Sequence, residues 1–256
     1  MELITIKTPE EIEKMRAAGR LTARARALAG SMIRPGVTTG EIDREVHKFI
    51  RGHGAKPSFL GYGGFPGSIC ASVNEVVIHG IPGSRRLEEG DIVSIDVGAY
   101  LHGFHGDCAA TFPCGKVSAE ARQLMEVTRE SFWKGIAQAK AGNRVRDIGH
   151  AVQQYVESFG YGVVRDFVGH GVGRQMHEPP EVPNYGPGGH GPRLMPGMVI
   201  ALEPMVCAGD WRVKVLEDNW TTVSVDGSLT AHYENTILIT EGEPEILTDP
   251  GEGYEL

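Results

Sequence analysis

AGNRVRDIGHAVQQYVESFG, residues 141–160, lies over PGVTTGEIDREVHKFIRGHG, residues 35–54, without a gap at an offset of 106. Matched positions include Gly36/Gly142, Glu41/Asp147, Ile42/Ile148, Val46/Val152, Phe49/Tyr155, Ile50/Val156 and Gly54/Gly160. Ile42, Val46, Phe49 and Ile50 recur at helical spacing, so the first copy predicts a helix from about Thr39 to Gly52. Each copy follows another helix. Thr8-Pro9-Glu10-Glu11 opens the first, with Thr8 as N-cap, Pro9 at N1 and Glu11 in the reciprocal capping position. Its apolar stripe is Ile12, Met15, Ala18 (or Gly19) and Leu21, and it ends before Pro35-Gly36. In the second half a long helix spans Ala119 to Lys140.

Downstream the correspondence continues. Gly90-x-Ile92-Val93-Ser94-Ile95-Asp96 matches Gly197-x-Val199-Ile200-Ala201-Leu202-Glu203 at an offset of 107, and His79-Gly80 finds a counterpart in His170-Gly171. Ile69–Ile78, Ile92–Ala99 and Phe104–Phe112 read as strands. A shared order of helix, helix, His-Gly and Gly-x-apolar-strand-carboxylate makes chance a poor account. The expected fold is α+β: two pseudo-symmetric halves, about 8–115 and 119–245, with helices on the outer face of an antiparallel sheet. A single domain, 1–256, would hold its site at the junction of the halves.

Composition narrows the function. At 256 residues the chain can bury a sizeable core. A net charge of -8 and a pI near 5.7 argue against direct nucleic-acid binding, which needs a basic face. MELITIKTPEEIEKM has neither the basic nor the apolar region of a signal peptide. No stretch approaches the ~18 apolar residues of a membrane span. Cys70, Cys108, Cys114 and Cys207 form no CxxC pair and read as reduced thiols in a cytoplasmic protein.

Chemistry enters with acids in apolar strands. Val93, Ile95 and Val97 share one face of their strand, and Asp96 shares the other with Ser94 and Gly98. With a turn near Leu101-His102, Asp107 is expected opposite Asp96. Two ionised carboxylates that close need a shared proton or a cation. Glu203, followed by the ladder-breaking Pro204, and Glu234, before Thr236-Ile237-Leu238-Ile239, repeat the problem. FVGHGVGRQMHEPPEVPNY, residues 167–185, adds His170 and His177 in a segment too rich in glycine for a stable helix. Four carboxylates match two divalent cations, and an oxygen-rich set with one imidazole suits Mn, Fe or Co. His102, His105 and His190 read as solvated loop residues, and Cys108 should point away from the carboxylates by strand alternation.

With these residues placed, the chain resembles the type I methionine aminopeptidases over nearly its full length. The family's ligand order Asp–Asp–His–Glu–Glu falls on Asp96, Asp107, His170, Glu203 and Glu234, and GHGVGRQMH with Asn184-Tyr185 resembles its diagnostic segment. Only 32 residues separate His170 from Glu203, leaving no room for the type II helical insertion. The resemblance implies the pita-bread fold and removal of the initiator methionine from nascent polypeptides ahead of a small second residue. It implies that Asp96 chelates one metal, that His170 and Glu203 hold the other, and that Asp107 and Glu234 bridge. A bridging hydroxide would attack the first peptide carbonyl, with Glu203 relaying a proton. His79 would assist proton transfer or contact the substrate nitrogen, and His177 would polarise the scissile carbonyl. Phe59, Tyr62, Phe65, Cys70, Met176 and Trp220 align with the methionine pocket, Phe65 and Met176 standing where tyrosine and phenylalanine are expected. A monomer is expected, with transient ribosome docking left open. The rivals are a proline-directed peptidase of the prolidase or aminopeptidase P type, which usually carries a further N-terminal domain, and a non-catalytic adaptor, which would lose ligands.

Overall fold

The structure is a computed structural model that describes residues 3–252; residues 1, 2 and 253–256 of the expected domain lie outside the described residues. The first half runs α1 (Pro9–Ser31), α2 (Thr39–Gly52), β1 (Lys56–Pro57), β2 (Ile69–Val73), β3 (Val76–Ile78), β4 (Ile92–Leu101) and β5 (Phe104–Pro113). The second runs α3 (Ala119–Ile136), α4 (Val145–Glu157), β6 (Gly162–Val163), β7 (Gly169–Gly171), β8 (Glu178–Val182), β9 (Val199–Leu202), β10 (Met205–Cys207), β11 (Val213–Val215), β12 (Thr222–Ser224), β13 (Thr230–His232), β14 (Glu234–Leu238) and β15 (Glu245–Ile246).

Local chemistry sets the helix starts. Thr8 Oγ1 accepts from Glu11 N at 3.3 Å while Glu11 accepts from Thr8 N at 3.0 Å. Thr38 N donates to Glu41 at 2.7 Å, and in the second half Arg144 N donates to Asp147, also at 2.7 Å. Gly36 and Gly142 share a φ of 92°, and the bridges Thr38–Arg86 and Arg144–Arg193 are likewise equivalent. Two expectations change. α3 stops at Ile136 rather than Lys140, because Gln138 and Ala139 close tighter turns onto Gly135 and Ile136. The strand expected over Ile69–Ile78 breaks at Asn74, whose φ is 56°, so β2 pairs β4 while β3 leaves to pair β12.

The main sheet is antiparallel in the order β1-β4-β5-β14-β9-β7-β8, with β2 also on β4 and β15 also on β14. The halves meet where β5 pairs β14. About that seam β5 answers β14, β4 answers β9 and β2 answers β7. His170 on β7 is therefore the positional counterpart of β2, and not of His79, which lies beyond β3. Each half has its own core on the helix side. Ile42, Val46, Val93 and Ile95 in one are the equivalents of Ile148, Val152, Ile200 and Leu202 in the other. On β4 the opposite face carries Ser94 and Asp96, while on β9 it carries Val199 and Ala201, which join a third apolar cluster with Met15 and Leu238, before Glu203. Among the described residues no helix is long and apolar enough to cross a membrane, and the four cysteines are free and buried.

α1 lies directly on β4 and β5. A Cβ on Gly106 would stand 2.8 Å from the Cα of Gly19, and a Cβ on Gly19 would stand 2.4 Å from the Leu247 carbonyl oxygen. Backbone cannot yield there as a flexible side chain would. Gly19→Ala is expected to cost about 2–3 kcal/mol by overpacking, read as a lower urea midpoint with an unchanged slope.

Candidate metal centre

The polar face of the seam carries the acids. Register places Asp96 across from Ala109 and Asp107 across from Gly98. The two aspartates are thus diagonal neighbours on one face, not directly opposed, because the turn falls at His102-Gly103, with Leu101 across from Phe104. Glu234 enters β14 across from Ala109, and Glu203 follows β9. His170 Nδ1 lies 2.9 Å from the Gly171 carbonyl, an acceptor, so Nδ1 carries the proton and Nε2 presents a lone pair. That Nε2 lies 3.6 Å from Asp107 Oδ2 and 3.5 Å from Glu203 Oε1.

A second imidazole, which sequence reasoning missed, completes the ring. His232 is buried, with Nε2 3.8 Å from Glu203 Oε2 and 3.9 Å from Glu234 Oε2. The available signal was its place two residues before Glu234, a spacing that puts both on one face of an extended chain. Two groups have ligand atoms close enough to share a cation: Asp96, His232 and Glu234, and Asp107, His170 and Glu234. Glu234 belongs to both.

Burial sets the protonation of this cluster. It pushes Asp96 up to about 7 and Asp107, Glu203 and Glu234 well above the usual carboxylate range. Mutual repulsion adds to the rise of the latter three. Burial also lowers His170 and His232 to about 3, keeping both neutral. Asp96 Oδ1, Asp107 Oδ1, Glu203 Oε1, Glu234 Oε1 and His232 Nε2 are shut off from solvent without a hydrogen-bond partner. Five such atoms converging on one space are the signature of a cation site, since each is costly to bury unpaired. The residues fit hard or borderline divalent ions.

Beside the carboxylates lies a cavity of about 320 Å³. Phe59, Tyr62, Phe65, Cys70, His79, His177 and Trp220 line it, as do Ile78, Asp166, Phe167 and Val168, which sequence reasoning did not select. Met176 does not line it: the loop gives that wall to His177, and Met176 packs out of solvent elsewhere. Cys70 pairs across from Asp96, so both side chains face the same way, and burial holds its thiol protonated. Tyr62 Oη lies 2.8 Å from His177 Nδ1, and the Phe65 and Trp220 rings meet edge-on at 5.1 Å. His79 sits at a φ of 57°, with Phe167 and Trp220 at 5.6 and 6.1 Å between ring centroids. Burial lowers it to about 4. His102 and His190 are exposed, but His105 is not a solvated loop residue. It lies within β5 with Nδ1 2.8 Å from Ser58 Oγ, and burial lowers it to about 4.

The model of metallopeptidase family M24 matches residues 13–241. The chain belongs to metallopeptidase family M24. Within that family it is 56% identical to the methionine aminopeptidase of Clostridium acetobutylicum, over 96% of this chain and 99% of the relative. The crystal structure of a Thermotoga maritima methionine aminopeptidase superposes with a TM-score of 0.95 at 50% identity, covering 96% of this chain and all of that one. A solved prolidase is similar as well, more distantly. Prolidase from Pyrococcus furiosus matches at a TM-score of 0.76 and 27% identity, over 96% of this chain but 66% of that one. The shared M24 architecture is the pita-bread fold, in which two related halves close around one centre.

Proposed function

We propose that this chain is a metal-dependent aminopeptidase that removes the N-terminal methionine from new polypeptides, working as one catalytic unit over residues 1–256. The observation that carries this is the ring of four carboxylates, three of them buried and Asp96 half-buried, and two neutral imidazoles beside a pocket of aromatic rings and a thiol. Two divalent cations, Co, Mn or Fe, would be held by Asp96, Asp107, His170, Glu203 and Glu234, with His232 against the Asp96 side. Such ions supply a water that ionises near neutral pH and Lewis acidity toward a carbonyl oxygen.

The chain's own residues supply the rest. Phe59, Tyr62, Phe65, Cys70 and Trp220 receive the methionine side chain, since aromatics and sulfur pack favourably against a thioether. His177 uses Nδ1 to accept from the Tyr62 hydroxyl, which leaves Nε2–H to donate to the scissile carbonyl oxygen as negative charge develops. Glu203 takes a proton from the attacking water and returns it to the leaving amine. His79, neutral at pH 7, contacts the nitrogen side of the bond. The two histidine walls leave room for a small second residue. The substrate is thus the N-terminus of a nascent polypeptide, and we place the enzyme in the cytoplasm as a monomer that binds no nucleic acid directly. Ribosome association would be transient.

Hydrolysis of Met-Ala-Ser, Ala-Ala-Ser and Ala-Pro by metal-stripped and Mn- or Co-reconstituted protein tests this reading. Met-Ala-Ser is expected to exceed Ala-Ala-Ser by about 10²-fold in kcat/KM, a pocket-filling effect of ~3 kcal/mol. Ala-Pro turnover equal to Met-Ala-Ser would favour the proline-directed reading, and no turnover of any peptide would favour the adaptor.

A further inference from the structure

We propose that a groove leading away from His177 is a track for the substrate peptide beyond its second residue, with the enzyme's N-terminal segment as one wall. This rests on the reading of the metal centre as the place where the first peptide bond is cut. The central cavity and a recess beside it share Val168, His170 and His177. That recess shares Pro179 and Glu181 with a larger groove of about 910 Å³. The three spaces therefore follow one another along neighbouring residues, and the proposal takes that succession as the outward course of a peptide held at the carboxylates.

The groove has an apolar floor and a narrow charged rim. Pro180, Pro183, Pro192 and Met195 line it, with Arg146 and Glu181 as its charged groups. Leu3 is 85% exposed and Met195 46%, an apolar pair at one groove in open water. The wall formed by Leu3 and Ile4 is latched in place just after His177. Lys7 Nζ donates to Glu178 Oε2 at 2.8 Å and Thr5 Oγ1 donates to the same oxygen at 2.7 Å. Lys7 N donates to the Gly197 carbonyl at 2.8 Å. Both side chains of the ion pair are nearly buried, at 5% and 10% exposure, so wall and His177 loop hold a fixed relation.

The edge strand says what kind of peptide fits. β8 ends the main sheet, and among the described residues no strand pairs its outer side. An extended chain can lie along it, but Pro179 and Pro180 have no N–H to offer. Side-chain burial, rather than a full ladder, must supply the affinity. Five residues of β8 at ~3.3 Å each span ~17 Å, room for about five residues of extended substrate. The track thus selects apolar side chains from about the third to the seventh position.

Steady-state kinetics on three peptides tests this: Met-Ala-Ser, the apolar Met-Ala-Ser-Leu-Pro-Val-Leu-Ser, and the acidic Met-Ala-Ser-Glu-Asp-Glu-Glu-Ser. The apolar octapeptide is expected to show about tenfold lower KM than the other two, with kcat unchanged within about twofold. Met195→Glu and Leu3→Glu should each erase most of that gain and leave Met-Ala-Ser untouched. Equal KM values for all three peptides, or a gain that survives both substitutions, would overturn the proposal. Should Met-Ala-Ser itself not be cleaved, the fault lies with the reading of the metal centre. Fluorescence anisotropy of the dye-labelled apolar octapeptide on wild-type and Met195→Glu protein then decides the track alone, equal affinities refuting it.

Discussion

Replacing Glu203 by alanine is expected to lower kcat/KM on Met-Ala-Ser by about 10³-fold or more, because it removes the group proposed as a cation ligand and as the proton relay. The protein should stay folded. Glu203 is anchored through its backbone, whose carbonyl accepts from Asn184 Nδ2 at 3.0 Å, and that bond does not need the side chain. Its carboxyl instead stands among neighbours that repel it. The isosteric Glu203→Gln should therefore separate the two roles: turnover collapses while the metal-free protein melts no lower than wild type. Circular dichroism and bound-metal analysis accompany the kinetics. A fully active alanine variant would remove Glu203 from the mechanism. A glutamine variant with a sharply lower melting temperature would show that the carboxylate is a structural partner instead.

The metal-free protein should be at its most stable no higher than about pH 6.5 and should lose stability between pH 6.5 and 8. Two sets of groups act with opposite signs. Asp96, held at about 7, and Asp107, Glu203 and Glu234, held higher still, keep protons in the folded state that the unfolded chain releases near pH 4. The folded state binds more protons, so these groups erode stability as pH rises above ~4 until each folded value is passed. His170 and His232 at about 3, and His79 and His105 at about 4, do the reverse. Their folded values are depressed, so they erode stability as pH falls below ~6.5. Below that point the two sets oppose each other, and above it only the carboxylates remain. A fall of roughly 5 °C or more in melting temperature is expected from pH 6.5 to 8 without metal. Saturating Mn should abolish it, because a cation takes the place of the retained protons. A flat profile without metal, or one that Mn leaves unchanged, would contradict the ionisation pattern of the centre.

Much of this was legible before the structure. Periodicity fixed α2 to the residue, since its apolar face and its Thr38–Glu41 lock are both local. The repeat made the two halves visible because equivalent core positions, such as Ile42 and Ile148, face equivalent strands. The acids stood out because each interrupts an apolar strand. What stayed hidden depends on partners remote in sequence. His232 follows no long apolar run, and beyond its spacing from Glu234 its role depends on Asp96 and Glu203, both remote in sequence. The diagonal placement of the aspartates depends on a turn one residue further on than expected. His105 looked solvated because Ser58, 47 positions away, could not be known to meet it. Met176 aligned with the methionine pocket through the resemblance, and in the fold it is buried outside the residues that line the cavity.

The seam between β5 and β14 has a further consequence, for the order of events in the life of the chain. Asp96 and Asp107 emerge early in synthesis, while His170, Glu203, His232 and Glu234 come later, the last of them on the strand that must wedge between β5 and β9. Neither half holds a full coordination sphere. A growing polypeptide therefore has nothing with which to retain its cations until its last ligand-bearing strand is threaded between strands made long before. On the proposed ligand set, acquisition of metal would report completion: molecules truncated before Glu234 are expected to stay apo, and tight loading would mark a molecule whose two halves have closed.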